Sequence, residues 1–326
     1  MKQFVAFCVL ALIFFVSENA NAQPVAQAYP TKQVRIVVPY PPGGPTDLMA
    51  RLLSQKLSER LGQTFYVENV AGASGAVGAG QVAKSTPDGS NLLVVTNDFA
   101  VASVTTTGLP YDPVKNFTPV SIIAASPQVI AVHPSVPAKT MKELVALISV
   151  EPDKYNYAAL GIGFGQLSAE RLFRLGLKQD KLVRIPFNGA APAVSATLSG
   201  QTQIIYMGLP PVVPHLESEK LRALAVTSSQ RSDVLPAVPT LAESGFTNQN
   251  AELQIGMVAP AGTPKDIVAL LQKEIGDIIK LPEVRKTLDT LSFRPVASTP
   301  EEFGKRISED IAIWQDVMKE LNIKPN

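Results

Sequence analysis

The feature that most constrains the fold is a recurring pattern: an apolar strand ends in a small, glycine-rich turn, and a helix follows. Residues 34–39 read VRIVVP, break at Pro41-Pro42-Gly43-Gly44, and precede a helix predicted from 45 to 61. The same order returns after the strands predicted at 65–70, 155–160 and 182–187. Strands that alternate with helices in this way predict an α/β fold with a parallel, doubly wound sheet.

The pattern falls into two runs, and the C-terminal part resembles neither of them. The second run includes strands predicted at 129–133, 203–207 and 221–226. Near the end, Thr263-Pro264 and Thr299-Pro300 have the composition of helix starts, and each precedes an amphipathic helix. We expect these helices to pack back on the first run.

Two α/β lobes joined by two crossings, with a cleft between them, fit this order. The predicted first lobe comprises residues 23–125 and 251–326, and the predicted second lobe comprises 126–250. The crossings are expected near residues 123–128 and 249–255.

Residues 1–22 are predicted to be an export signal rather than part of the fold. Lys2 precedes an uninterrupted apolar run over 4–16, and Ala20-Asn21-Ala22 is a small-x-small cleavage site. The run is too short to span a bilayer comfortably, which disfavours the alternative of a membrane anchor. We expect cleavage after Ala22 and a periplasmic location. The single cysteine, Cys8, leaves with this segment, which excludes disulfides and thiolate sites from the mature chain.

The composition and the absence of known motifs disfavour several classes of function. Lys and Arg number 29 against 28 Asp and Glu, so no basic excess favours nucleic-acid binding. Only two histidines are present, and the sequence has no His-Glu-x-x-His motif, no P-loop and no Gly-x-Ser-x-Gly elbow, so neither a metal nor a cofactor is predicted. An exported hydrolase that uses Ser74 or Ser168 with an acid remains the enzymatic alternative.

Four glycine-rich turns indicate anion binding by backbone groups rather than catalysis. They lie at residues 42–46, 72–75, 161–165 and 188–190. In an open α/β sheet such turns lie at the carboxyl ends of the strands, where ligands bind. Each helix start has unpaired backbone N–H groups, and glycine allows a ligand to approach the backbone closely. Taken singly these are ordinary turn glycines. Together they predict a cradle for an anion that needs no Lys or Arg, with Asp47 capping a helix rather than contacting the anion.

A series of short motifs runs in order along nearly the whole mature chain: Tyr29-Pro30, Val38-Pro39-Tyr40-Pro41-Pro42-Gly43-Gly44-Pro45-Thr46-Asp47, Gly72-Ala73-Ser74-Gly75, Pro87-Asp88-Gly89, Pro186-Phe187-Asn188-Gly189-Ala190 and Pro260-Ala261-Gly262-Thr263-Pro264. Each is weak alone, but the ordered set resembles the Bug-type solute receptors. These are the extracytoplasmic binding proteins of tripartite tricarboxylate transporters.

The resemblance implies a two-lobed periplasmic-binding-protein fold of type II, a Venus flytrap with the ligand cleft between the lobes. It also implies a small organic carboxylate as ligand, delivery to a membrane permease of one large and one small subunit, and a monomeric receptor without catalysis. Presentation of the ligand to a signalling partner is the alternative. In such receptors the turn matching 43–47 helps hold one carboxylate, and those matching 161–166 and 187–190 supply the second lobe. The candidate ligand-binding residues are Tyr40, Gly43, Gly44, Thr46, Asp47, Ser74, Asn97, Ala159, Gly161, Gly163, Phe164, Gln166, Phe187, Asn188, Gly189, Ala190 and Met207.

The sequence departs from the family pattern in the second lobe. Phe164 and Leu167 stand where a small hydroxyl residue and a histidine are usual, and Met207-Gly208 replaces an Asp-Asn-like pair. This favours a less polar carboxylate, aromatic or long-chain, with Phe164 and Met207 against its apolar part. The alternative is that Phe164 packs in the core or shields an empty cleft.

Overall fold

The computed structural model describes residues 29–161 and 163–325, and strands alternate with helices through most of this range. The strands are β1 (Val34–Val38), β2 (Phe65–Asn69), β3 (Asn91–Thr96), β4 (Phe117–Val132), β5 (Asn156–Leu160), β6 (Val183–Phe187), β7 (Ile204–Gly208), β8 (Arg222–Val226), β9 (Glu252–Pro260) and β10 (Arg294–Pro295). The helices are α1 (Pro45–Leu61), α2 (Ala76–Ala83), α3 (Asp98–Thr105), α4 (Met141–Val150), α5 (Phe164–Glu170), α6 (Ala190–Leu198), α7 (Val213–Glu217), α8 (Lys265–Ile278), α9 (Pro282–Thr290) and α10 (Pro300–Glu320). The predicted export signal lies outside the described residues.

The strands follow the order β2-β1-β3-β9-β4-β7-β5-β6, and β8 and β10 pair with β4 beside this path. β1 pairs in parallel with β2 and β3, and β5 pairs in parallel with β6 and β7. β9 is antiparallel to both of its neighbours, β3 and β4. The prediction of parallel strands is therefore right for each outer group, and the strands that join the two groups are antiparallel.

β4 belongs to both groups, because it changes partners along its length. Its residues up to Pro127 pair with β9, whereas those from Gln128 onward pair with β7 and, from Val129, with β8. The first lobe is thus built on β2-β1-β3-β9 and the beginning of β4, and the second on β7, β5, β6, β8 and the end of β4. The strand predicted at 129–133 is the second part of this longer strand. The division at 125/126 and 250/251 is our interpretation of where the crossings lie.

Each lobe has helices on both faces of its sheet, which buries the central strands, whereas the outer strands β2 and β6 stay partly exposed. In the first lobe, one face of the sheet packs on α1, α8 and α9 through residues such as Leu53 and Leu271. The other face packs on α2, α3 and α10. In the second lobe, α4 and α5 cover one face and α6 and α7 the other. These layers hold the carboxyl ends of the parallel strands at one edge of each lobe.

The C-terminal helix α10 returns to the first lobe, as the sequence predicts. Thr299 begins it with a complete capping box, in which its side chain accepts from the Glu302 N–H and the Glu302 carboxylate accepts from the Thr299 N–H. The predicted cap at Thr263 is wrong, because its hydroxyl donates to the Pro260 carbonyl and α8 begins after Pro264. In the part of the chain that the structure describes, no helix combines the length and the apolar character needed to cross a membrane.

Candidate functional site

The predicted turns lie at the carboxyl ends of parallel strands, and within each lobe they lie side by side. In the first lobe, a Cβ built on Gly75 would lie 3.5 Å from the Tyr40 ring. In the second lobe, the Gly161 N–H donates to the Phe187 carbonyl over 3.1 Å, and the Asn188 side chain lies close by. The structure thus brings together, in pairs, turns that are far apart in the sequence.

Asp47 organises the turn after β1. Its Oδ2 accepts hydrogen bonds from the Gly43 N–H at 2.9 Å and from Arg51 Nε at 3.0 Å. Its Oδ1 accepts from Asn69 Nδ2 at 2.9 Å, and the same amide nitrogen donates to the Tyr40 carbonyl. The carboxylate is 3% exposed. It therefore fixes the shape of the turn by bonding to Gly43, the residue before the N-cap Gly44, rather than by the predicted capping of α1. Arg51 and Asn69 position this carboxylate.

The charge state of Asp47 follows from these contacts. Burial acts to raise the pKa of this carboxyl, but the hydrogen bonds from Arg51, Gly43 and Asn69 outweigh burial and lower the pKa below its usual value. Asp47 is therefore ionised at neutral pH. Its charge is balanced by Arg51, so the turn presents backbone groups rather than net negative charge.

Tyr40 links the first turn to the end of β3. Its hydroxyl and the Thr96 hydroxyl are 2.8 Å apart. Burial, with a further contribution from Asp98, raises the pKa of the phenol far above the physiological range, so Tyr40 stays a neutral hydrogen-bonding group. The side chain is partly exposed and lies between the turn after β1 and the turn at Gly75. It is the residue around which the first-lobe turns converge.

Asp98, at the start of α3, is the functional candidate that the sequence analysis missed. Its Oδ1 accepts a hydrogen bond from the Phe164 N–H of the second lobe at 2.8 Å. A Cβ built on Gly163 would lie only 2.5 Å from that oxygen, so the absence of a side chain there permits the contact. Burial raises the pKa of Asp98 more than its hydrogen bonds with Phe164 and Thr96 lower it. The sequence signal was its place two residues after the end of β3.

Asn97, a predicted ligand-binding residue, makes structural contacts. Its Oδ1 accepts from the Gln254 N–H at 2.7 Å, and its Nδ2 lies 3.5 Å from Asp310. The residue is 4% exposed. It ties the end of β3 to the beginning of β9, near the predicted crossing.

Three predicted residues of the second lobe have buried side chains, namely Ala159, Phe164 and Met207. The Phe164 ring is 3% exposed and packs edge-on against Trp314. Met207 is 1% exposed and lies in an apolar cluster with Val129 and Ile205. For both residues the structure favours core packing over contact between the side chain and a ligand.

The other candidate residues of the second lobe are accessible. Gly161, Gln166, Phe187 and Ala190 are partly exposed, and Asn188 and Gly189 are exposed. Gly189 precedes α6 with a φ of +125°, a conformation that favours glycine. In the first lobe, Gly43 and Ser74 are exposed, Gly44 is partly exposed, and Thr46 is buried at 9% exposure. Both lobes therefore offer backbone groups at the cleft.

Of the two serines of the hydrolase alternative, Ser74 is exposed, whereas Ser168 is not arranged for catalysis. The Ser168 hydroxyl donates to the Phe164 carbonyl at 2.7 Å within α5, and the residue is 2% exposed. His133 pairs with Ser135 in a turn of the second lobe, at 2.8 Å. Among the described residues, no group of three or more His, Cys, Asp or Glu side chains is placed to hold a metal ion.

Comparison with known families finds one match that covers most of the chain. The model of the tripartite tricarboxylate transporter family receptor matches residues 49–323. Among curated proteins, BugT of Bordetella pertussis is 33% identical over 320 residues, which is 97% of this chain and 98% of BugT.

Solved structures show the same fold. A protein from R. palustris solved with adipate is 31% identical, with a TM-score of 0.78 over 91% of this chain and 100% of its own. MatC from Rhodopseudomonas palustris with bound malate is 33% identical, with a TM-score of 0.72 over 89% of this chain and 99% of its own.

Proposed function

The chain belongs to the tripartite tricarboxylate transporter receptor family, and from that premise we propose that it captures a small organic carboxylate between its lobes and delivers it to a membrane transporter. Bug-type receptors of this kind are periplasmic solute-binding proteins rather than enzymes. The proposal extends to this chain the absence of catalysis, the monomeric state, cleavage of the export signal after Ala22, and a permease of one large and one small subunit.

The observation that carries the proposal is the convergence of backbone turns from both lobes at the edge between them. The Asp47 carboxylate holds the first-lobe turn in shape, and Tyr40 joins this turn to Thr96. Asp98 then contacts the second-lobe turn at Gly163 and Phe164. A ligand in this cleft touches both lobes at once, which is how a hinged receptor converts binding into closure.

A carboxylate suits this cleft because helix starts at its turns, such as those of α1 and α6, offer backbone N–H groups. Two cations approach the turns, but Arg51 is paired with Asp47 and Arg184 with Glu170. The bound adipate and malate of the two related structures are carboxylates as well. These relatives support the ligand class for this chain.

Within that class we propose an aromatic or long-chain acid. At the positions where the family commonly has polar side chains, Phe164, Leu167 and Met207 are buried in the core and offer no hydrogen bond. A ligand rich in hydroxyl or amino groups therefore finds fewer partners in the second lobe. An acid with an apolar middle section requires fewer such partners.

The test is to identify the small molecules that co-purify with the native protein by mass spectrometry, followed by thermal unfolding with citrate, malate, glutamate, adipate, benzoate and terephthalate. A bound ligand raises the melting temperature by mass action. We expect adipate, benzoate or terephthalate to stabilise the protein more than citrate or glutamate, and chromatography to recover the acid unchanged. The ligand proposal fails if citrate or glutamate is preferred, and the receptor proposal fails if no acid stabilises the protein or if a product appears.

A further inference from the structure

We propose that Asp98 is a specificity-determining residue: it places a carboxyl group where the two lobes meet and, in its ionised form, rejects short ligands whose second carboxylate would lie beside Gly163. This inference rests on the proposed function, since it concerns which carboxylates the same cleft accepts.

The first observation is that the backbone group a ligand would use is already occupied. The Phe164 N–H is the first donor of α5, and it donates to Asp98 Oδ1 at 2.8 Å. The two residues are 66 positions apart and belong to different lobes. A ligand carboxylate at this turn would have to displace a carboxylate that the protein itself supplies.

The second observation is how closely the two lobes approach here. Gly163 has a φ of +129°, and a Cβ on it would lie 2.5 Å from Asp98 Oδ1. By contrast, Gly43 and Gly44 of the first-lobe turn have open space where a Cβ would be. The cleft is therefore open at the first turn and closed by Asp98 at the turn after β5.

The third observation is that the side chains that the structure describes around Asp98 carry no positive charge that would balance its carboxylate. The described side chains that interact with it are the Thr96 hydroxyl and the Tyr40 and Tyr111 phenols, all uncharged at neutral pH. Asp98 itself is partly exposed, so its ionised form, which prevails above its raised pKa, faces the cleft. Two like charges in one partly desolvated site repel strongly.

The length of a ligand determines whether its second carboxylate lies near Asp98. In a short diacid such as malate the two carboxylates are close together, so binding one in the cleft places the other near Asp98. A monoacid such as benzoate avoids this charge. A long diacid such as adipate can carry its second carboxylate past Asp98 toward the turn at Asn188 and Gly189, which is exposed.

The experiment compares malate, benzoate and adipate binding by calorimetry in wild type, Asp98→Asn and Asp316→Asn. Asn keeps the shape of the side chain and an oxygen that accepts from Phe164, and Asp316 is an exposed carboxylate on α10 that controls for net charge. We expect Asp98→Asn to lower the Kd for malate at least about tenfold, and those for benzoate and adipate less than about threefold. Asp316→Asn should change none of them more than about twofold, since solvent and salt screen an exposed charge.

The inference is overturned if Asp98→Asn changes the Kd for malate no more than the Kd for benzoate. It is also overturned if malate binding stays undetectable in wild type and in Asp98→Asn while adipate binds. If wild type binds none of the three acids, the proposed function fails instead. Circular dichroism verifies folding, and Asp98→Ser, which also removes the charge, replaces Asp98→Asn under the same criterion if the latter does not fold.

Discussion

Trp314 on α10 of the first lobe packs edge-on against Phe164 at the start of α5 of the second lobe, with ring centroids 5.6 Å apart and planes at 86°. The backbone N–H of the same Phe164 binds Asp98. One residue of the second lobe is therefore held by the first lobe on two sides, through its ring and through its main chain. Because the contact crosses between lobes, relative movement of the lobes alters the surroundings of Trp314.

This placement predicts a fluorescence signal for ligand binding. Trp314 is the single tryptophan of the chain and is 2% exposed. Saturating adipate should change its emission intensity or maximum, because closure of the lobes moves Phe164 relative to the indole. Trp314→Phe should abolish the signal while calorimetry still detects binding. An unchanged emission during binding that calorimetry confirms would show that the lobes do not move at this contact.

Asp47→Ala should weaken both the fold and the site. The substitution removes the carboxylate that accepts from the Gly43 N–H, Arg51 and Asn69, and a hydrogen bond to a charged group contributes about 1.5–3 kcal/mol of stability. The Kd for adipate should rise at least about tenfold, because the first turn loses its shape. Chemical unfolding and calorimetry measure the two effects. The matched control is Glu59→Ala, an exposed acid on the same helix, which should behave as wild type.

Asp98→Asn should stabilise the unliganded protein at neutral pH. Burial raises the pKa of Asp98, so the folded state holds its proton more tightly than the unfolded state, and the ionised form disfavours folding above the folded-state pKa. The gain in Tm should therefore be largest near pH 7.5 and shrink as the pH falls through the raised pKa toward the usual value of about 4. A gain that is constant with pH would contradict this account.

Asp88→Asn is a control for which we expect the opposite change in Tm. Although burial opposes it, hydrogen bonds from Lys32 and Ser90 lower the pKa of Asp88 to about 2. The ionised form therefore favours folding, and Asp88→Asn should lower the Tm at neutral pH. That loss should fade as the pH falls from about 4 toward 2, where wild-type Asp88 itself becomes protonated.

Two glycine substitutions should separate stability from binding. Gly163→Ala forces a side chain into a left-handed backbone conformation and against Asp98, so it should cost about 1–3 kcal/mol and also weaken adipate binding. Gly44→Ala meets no atom within 4 Å and has a φ of −79°, so its Tm should match wild type. If a ligand approaches the backbone at Gly44, the added methyl group should still raise the Kd for adipate. Normal adipate binding by Gly44→Ala would remove this residue from the site.

The strand and helix order was largely predictable because its signals are local. The apolar run of β1, the turn that ends it, and the stop of α1 at Gly62 all depend on neighbouring residues, and Gly62 has the expected left-handed conformation with a φ of 69°. The capping box of α10 formed as its residues predict. At Thr263 the same kind of local signal failed, since a hydrogen bond to the Pro260 carbonyl takes the hydroxyl.

The side chains of the site were less predictable, because burial depends on what packs from elsewhere in the chain. Phe164 stands where the family usually has a small hydroxyl residue, so we expected its side chain to face a ligand, with core packing as the alternative. The structure places it against Trp314, 150 residues later by their numbering. Asn97 and Asp98 are adjacent in the sequence, yet Asn97 bonds to β9 and Asp98 to the opposite lobe.

The sequence by itself determined that this chain forms α/β lobes whose strands end in glycine-rich turns, because strand periodicity, helix caps and turn chemistry act over a few residues. Its ordered motifs also determined the receptor family. Only the tertiary structure decided that Asp98 of one lobe occupies the Phe164 N–H of the other, and that Phe164 and Met207 belong to the core. The physical reason is that such contacts join distant segments, so packing and close approach at Gly163 select them, and no local pattern encodes them.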